Sequence, residues 1–382
     1  MNRPALRVIG SGVAMDAPSM FPGSVVTPSG IVIAYSTVPD GWPGGTVGVR
    51  RSADGARSWD EAQIVARAAP GEDAALGALG LTRLHDGRLL LPYNAVTWQP
   101  GQGVEGCILT LRLIESADDG RTWSAPMPVA IDFHRPAVYG DMLDLSDGEL
   151  LWPVWGQYRS GERWRSALLA SRDRGRSWTV KSTIAFDPNA RLTGTYVDEG
   201  DTGRTDNGVA DFSRHDDPDF RPHNATDGFN ETSVVQLADG RLLAILRQQG
   251  VDGDQELALF AAYSTDIGAT WTAYERLGFS GMSPAVVRTA GGHLLLGSRR
   301  FVADKSIEPG VEVRVGAAGG RAWSEPVALV DPFATKLTGE YQCGYPAFAP
   351  AGDGTWLVFF YSCRPDGARY IAWNRLEIAT DA

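Results

Sequence analysis

Apolar residues along this chain come in pairs of short runs split by a glycine-bearing turn, and the pairs recur from end to end. Residues 24–36, 80–94, 142–155, 234–247, 285–299 and 347–361 each read as apolar run, turn, apolar run. Runs this short, bounded by turn residues, predict β-hairpins, and no stretch sustains the 3.6-residue period of an amphipathic helix. A third alternating strand follows each hairpin, at 47–52, 108–116, 167–171, 257–264, 311–315 and, in the last, 370–378.

The first five of those third strands run into a repeated octapeptide, Ser-x-Asp-x-Gly-x-Thr/Ser-Trp. It is complete at Ser116 to Trp123, Ser171 to Trp178 and Ser264 to Trp271, nearly so at Ser52 to Trp59, and reduced to Gly320 and Trp323 in a fifth copy. The chemistry of the box is that of a turn. Asp folds back on neighbouring N–H groups, Gly takes a positive φ angle, and Ser or Thr bonds locally. The Trp then brings a large apolar surface to the space between sheets. These aspartates are expected to hold turns and to do no catalysis, with Trp123, Trp178 and Trp271 largely buried.

Six hairpins, each with a third strand, at a spacing of roughly fifty to sixty residues, predict an all-β, six-bladed β-propeller. The last blade lacks a box because it ends after its third strand, at 370–378. The run 6–13 is therefore expected to supply that blade's outer strand and close the ring, leaving no open edge. The chain reads as one propeller domain over residues 1–382, with an insertion at about 186–229. That insertion is rich in Asp, Arg, Gly and Pro, and is expected to cover the mouth of the ring because it leads directly into residue 231.

With 382 residues, 45 Gly and 12 Trp, the chain has the material for a large core. The net charge of −11 and the lack of a basic stripe argue against nucleic acid or an anionic membrane as partner. Cys107, Cys343 and Cys363 lack metal-ligand spacing and read as free thiols, with a pairing of Cys343 and Cys363 left open. The acidic run from Asp198 to Asn207 matches no calcium-loop spacing, and no cofactor is expected. No signal peptide or membrane span is visible, so the chain as sequenced is expected in the cytoplasm.

The boxed turns, Arg50-Arg51-Ser52, and above all the stretch from Asn230-Glu231-Thr232-Ser233 through Ala238-Asp239-Gly240-Arg241 to Leu246-Arg247 resemble the sialidase superfamily over essentially the whole chain. That resemblance implies a six-bladed propeller that removes terminal sialic acids from glycans with retention, so the expected partner is a carbohydrate. It also implies a Tyr nucleophile assisted by Glu, an Asp acid/base, and three Arg on the sugar carboxylate. A neutral phenol suits an anomeric carbon that itself bears a carboxylate, because an anionic nucleophile would be repelled. Arg suits the carboxylate through its planar, two-pronged donor face.

Carried over residue by residue, the resemblance makes Glu231 the assisting Glu, Arg247 the second Arg, and Arg299, with Arg300 as its competitor, the third. Tyr345 takes the nucleophile's place, with Tyr341 close by. The Arg that should open blade one is absent, since the triplet there is Met20-Phe21-Pro22. The acid falls to Asp40, with Asp16 and Asp73 as alternatives. Asp73, Tyr139 and Asp141, with His134, lead into neighbouring inner strands and are expected to line the same mouth. The result is a two-arginine clamp for an acidic sugar, sialic or a related ulosonic acid. The same scaffold leaves room for an exo-glycosidase or lyase acting on another sugar, or for a glycan-binding propeller.

Overall fold

The computed structural model of the chain describes residues 5–38, 43–77, 79–98, 108–159, 162–188, 228–249, 258–300, 310–331, 333, 343–364 and 366–379. These form six antiparallel sheets and no helix. Each sheet is one blade, and in all but blade six the strands run in sequence order from the axis outward. Blade four is the simplest example: Gly228–Gln236, Leu242–Gln249, Ala258–Ser264 and Glu275–Ser280. The inner strands of blade one (Met20–Thr27) and blade six (Gly344–Pro350) pack together, so the blades form a closed ring.

Closure is made by the N-terminal strand. Ala5–Met15 pairs antiparallel with Arg369–Ala379 as the outer strand of blade six, from Ala5 opposite Ala379 to Met15 opposite Ile371. The expected strand 6–13 is thus present and extends further at both ends. Apolar clusters between neighbouring blades hold the ring, as in Leu151, Leu168, Phe229 and Leu246 at the boundary of blades three and four.

The boxed turns fold as their composition predicts. In the second, Ser116 Oγ donates to Asp118 Oδ1 and accepts the Gly120 N–H, while Asp118 accepts the Thr122 N–H at 2.9 Å and its hydroxyl at 2.6 Å. Those bonds, the Thr122 hydroxyl first, lower the Asp118 carboxyl to about 2. The tryptophans depart from expectation. Trp178 is buried, but Trp123 and Trp271 are only half-buried. Trp271 turns its indole N–H to the Ser182 hydroxyl of the neighbouring blade at 3.0 Å, which holds it at the margin of the core. Cys343 and Cys363 are both buried free thiols, and Cys107 lies outside the described residues, as do residues 189–227 of the insertion.

Candidate active site

One backbone device recurs in five blades and sets the site. Each inner strand carries a bulge near its start, and at each bulge a residue other than glycine adopts a positive φ: Phe21 (52°), Arg135 (50°), Glu231 (41°), Ser283 (51°) and Tyr345 (54°). In four of the five the next residue is proline, at positions 22, 136, 284 and 346. Side chains other than glycine's are disfavoured there by about 1–3 kcal/mol each, and such strain collects at functional sites. Bulges re-aim side chains, and these five occupy equivalent places around the axis.

Three of them meet. The Tyr345 hydroxyl donates to Glu231 Oε1 at 2.5 Å. The other carboxylate oxygen, Oε2, receives the Ser283 backbone N–H at 3.0 Å, with the Ser283 hydroxyl at 3.3 Å. Arg247 Nη1 lies 2.7 Å from the same oxygen. Glu231 is 4% exposed and Arg247 7%. Burial by itself would raise the Glu231 carboxyl, but the Arg247 charge and the hydrogen bonds from Tyr345 and Arg247 outweigh it and hold the pKa below its ordinary value. Glu231 is therefore ionised through the neutral range and poised to accept a proton from the phenol.

Arg247 sits opposite Asn230, and Arg299 sits opposite Met282 at the equivalent place in blade five. Arg299 is 6% exposed, its guanidinium carbon 5.9 Å from the centre of the Tyr345 ring, and its Nη2 donates to the Tyr361 hydroxyl at 3.2 Å. The strand end thus separates the two arginines that sequence left in competition. Arg300, on the other face, turns to Glu312 with its Nε at 3.4 Å and is not brought to Tyr345. Gly344, at φ 144°, leaves space for Arg299, since a Cβ there would lie 2.8 Å from Arg299 Nε.

Tyr139 lies under the cluster. Its ring is 6.0 Å from that of Tyr345, and its hydroxyl reaches past blade four to the Pro284 carbonyl of blade five at 2.9 Å. Burial raises its pKa strongly, with Glu231 and Tyr345 adding to the effect, so it stays a neutral phenol. Beside the cluster a small cavity opens along the axis, lined by Tyr139, Asp141, Ser233, Val286, Tyr345 and Ala347.

Asp141 lines this cavity together with Tyr139 and Tyr345. Surrounding protein raises its carboxyl to about 7. The side chain is itself exposed, and contact with solvent weakens that shift.

Asp73 serves another purpose, since its carboxylate accepts the Trp98 backbone N–H at 2.6 Å and fixes a loop. Asp16 pairs with Arg364, and His134 is exposed. Asp40 and Tyr341 lie outside the described residues. Cys343, next to the site, is no nucleophile, because burial raises its thiol to about 11.

Sequence reasoning missed four contributors. Ser283 caps the Glu231 carboxylate. Tyr361 takes in blade six the place of Arg247 and Arg299, opposite Gly344. Phe21 packs edge-on against Tyr345 with ring centres 4.7 Å apart. Arg135 occupies the bulge of blade three, with its guanidinium 5.3 Å from the Trp164 ring. The signal that would have found three of them is the residue-proline dipeptide that opens four inner strands.

The model of the BNR repeat-like domain matches residues 44–360. The chain belongs to that family. A sialidase of Bacteroides fragilis is 27% identical over an alignment of 209 residues that covers 47% of this chain and 38% of that protein, so the match spans well under half of this relative's length. Among solved structures, a Dyadobacter fermentans protein of unknown function superposes with a TM-score of 0.75 at 22% identity, covering 98% of this chain and 99% of that one. The Trypanosoma rangeli sialidase in complex with the inhibitor DANA gives 0.61 at 13% identity over 94% of this chain and 55% of its own. This family member therefore has a sialidase-like propeller fold.

Proposed function

We propose that this BNR-family propeller is a retaining exo-glycosidase that removes a terminal acidic sugar, sialic or a related ulosonic acid, from a glycan. The observation that carries this reading is the hydrogen bond from the half-buried Tyr345 phenol to the buried Glu231 carboxylate. A glycan-binding surface has no use for a base beside a phenol. In the reaction, Tyr345 Oη bonds to the anomeric carbon as its proton passes to Glu231 Oε1, and the bond from that carbon to the aglycone oxygen breaks. The leaving oxygen takes a proton from an acid, a role that the family resemblance gives to Asp40. Water then displaces Tyr345 from the sugar, giving up one proton to the carboxylate left by that acid, and Glu231 returns its own proton to the departing phenol. Arg247 and Arg299 hold the carboxylate of the sugar. Ser283 and Arg247 keep Glu231 ionised and oriented until attack.

The test is a screen of fluorogenic α-glycosides of sialic and other ulosonic acids, with Tyr345→Phe and Glu231→Gln alongside the wild type. Tyr345→Phe is expected to abolish turnover with the fold intact by circular dichroism. Glu231→Gln is expected to slow it by about 100-fold or more. A 2,3-difluorinated acidic sugar should label Tyr345, read by peptide mass spectrometry. One observation favours a glycan-binding module instead: Met20 and Phe21 present no donor at the mouth. That reading requires no hydrolysis by the wild type on any sugar and unchanged glycan affinity in both variants.

A further inference from the structure

The five equivalent bulges divide the mouth into unlike halves. Blades four and five contribute Glu231, Ser283, Arg247 and Arg299, whereas blades six and one contribute Tyr345, Tyr361 and Phe21, which join Met20 in a single apolar cluster. The Tyr345 ring is fixed within that cluster. Phe21 meets it edge-on at 4.7 Å and 76°, and Phe21 meets Tyr361 at 5.6 Å and 71°. Tyr361 lies tilted by 34° to Tyr345 at 6.0 Å. A phenol that must hold one carboxylate oxygen and then swing no further than the anomeric carbon needs its ring plane fixed, and edge-to-face packing supplies a defined angle.

The two flanking rings differ in one respect. Phe21 has no polar atom in its side chain and meets Tyr345 and Tyr361 edge-on through its ring, and it keeps a positive φ of 52° that a bulky side chain resists. Tyr361 also accepts a hydrogen bond from Arg299 at 3.2 Å. One ring therefore acts on the phenol, while the other joins the phenol to the guanidinium.

We propose that Phe21 and Tyr361 are positioning residues with separate tasks: Phe21 sets the Tyr345 phenol toward Glu231, and the Tyr361 hydroxyl sets Arg299 for the sugar carboxylate. The inference rests on the reading of Tyr345 as nucleophile and Arg299 as carboxylate ligand. It assigns the two steps of catalysis, attack and binding, to two residues that do not touch the sugar's reacting bond.

The experiment compares wild type, Phe21→Leu, Phe21→Tyr and Tyr361→Phe on a fluorogenic α-sialoside or ulosonic acid glycoside. Phe21→Leu is expected to lower kcat about 10- to 100-fold with KM within about 3-fold. Phe21→Tyr, which retains the ring, should recover most of the loss. Tyr361→Phe is expected to raise KM about 10-fold with kcat little changed, since the lost bond orients a group that binds ground state and transition state alike. Equal effects of the two variants on kcat and KM, or an unchanged kcat in Phe21→Leu, would overturn the assignment. Crystal structures of Phe21→Leu and Tyr361→Phe provide a readout independent of turnover. In Phe21→Leu the Tyr345 to Glu231 contact should lengthen from 2.5 Å to beyond about 3.5 Å, and in Tyr361→Phe the Arg299 guanidinium should rotate. Side chains that stay in place sink the inference even if the enzyme is inactive, whereas inactivity of the wild type on every acidic glycoside counts against the proposed function alone.

Discussion

A single absent Cβ gives the Arg299 guanidinium its place beside Tyr345. Gly344 precedes Tyr345, and any larger residue there would press on Arg299 Nε. Gly344→Ala is expected to displace the guanidinium and lower kcat/KM on an acidic glycoside by about 100-fold, for a shift of about an ångström, with a far smaller effect on glycosides lacking the carboxylate. Steady-state kinetics on a matched pair of substrates checks this.

Asp141 makes a prediction of the opposite kind, on stability instead of rate. Its carboxyl is raised from 3.8 to about 7 in the folded state. Below about pH 4 both folded and unfolded chains carry the proton, and the group's contribution is fully present. As pH rises toward 7 the unfolded chain releases its proton first, so that stability is progressively lost. Asp141→Asn should therefore gain thermal stability over the wild type across pH 4 to 7 and hold a constant margin above it, in melting curves recorded at several pH values. A margin that does not change with pH would mean that water screens the carboxylate fully.

Strands and turns were far more legible than the contacts between them. Hairpins follow from apolar runs and glycine turns, and the box is a local structure whose partners lie within the same eight residues, so both can be read without knowing the fold. Glu231, Arg247 and Tyr345 could be placed because each marks an end of a hairpin already recognised. Arg299 could not be separated from Arg300, since the choice depends on strand register, and Ser283 and Tyr361 gain their partners only when blades four, five and six converge. The dipeptides Phe21-Pro22, Arg135-Pro136, Ser283-Pro284 and Tyr345-Pro346 were visible, but their shared meaning is a backbone bulge that no local rule announces. The insertion's place over the mouth falls on residues outside those described. Burial of the boxed tryptophans was overestimated because the box sits at the blade margin. Trp178→Ala should accordingly cost about 3–5 kcal/mol, and Trp123→Ala clearly less, in chemical denaturation.

At the scale of the whole molecule, six sheets with a sialidase-like arrangement bring residues from every part of the chain to one axial mouth. Glu231 and Tyr345 are separated by 114 residues, yet the phenol of one donates directly to the carboxylate of the other. The backbone strain at five bulges is affordable because the ring holds each inner strand on both sides. The seam that makes the ring whole joins the strand Ala5–Met15 to Arg369–Ala379.

That seam also sets an order in time. Arg7 and its partner Glu377 are 370 residues apart, so a ribosome adding about 5–20 residues per second needs on the order of 20–70 s to supply the second after the first. Throughout that interval the earliest strand has no sheet to join, and five blades must dock without a sixth to close on. Contacts so distant in sequence are slow to form even in a finished chain. A circular permutant carrying residues 5–15 after residue 379, joined by a short flexible linker, lets blade six assemble from consecutive strands. It should refold several-fold faster than the native order in stopped-flow fluorescence, with the same final spectrum. An unchanged rate would place the slow step of folding elsewhere, among blades that need no help from the beginning of the chain.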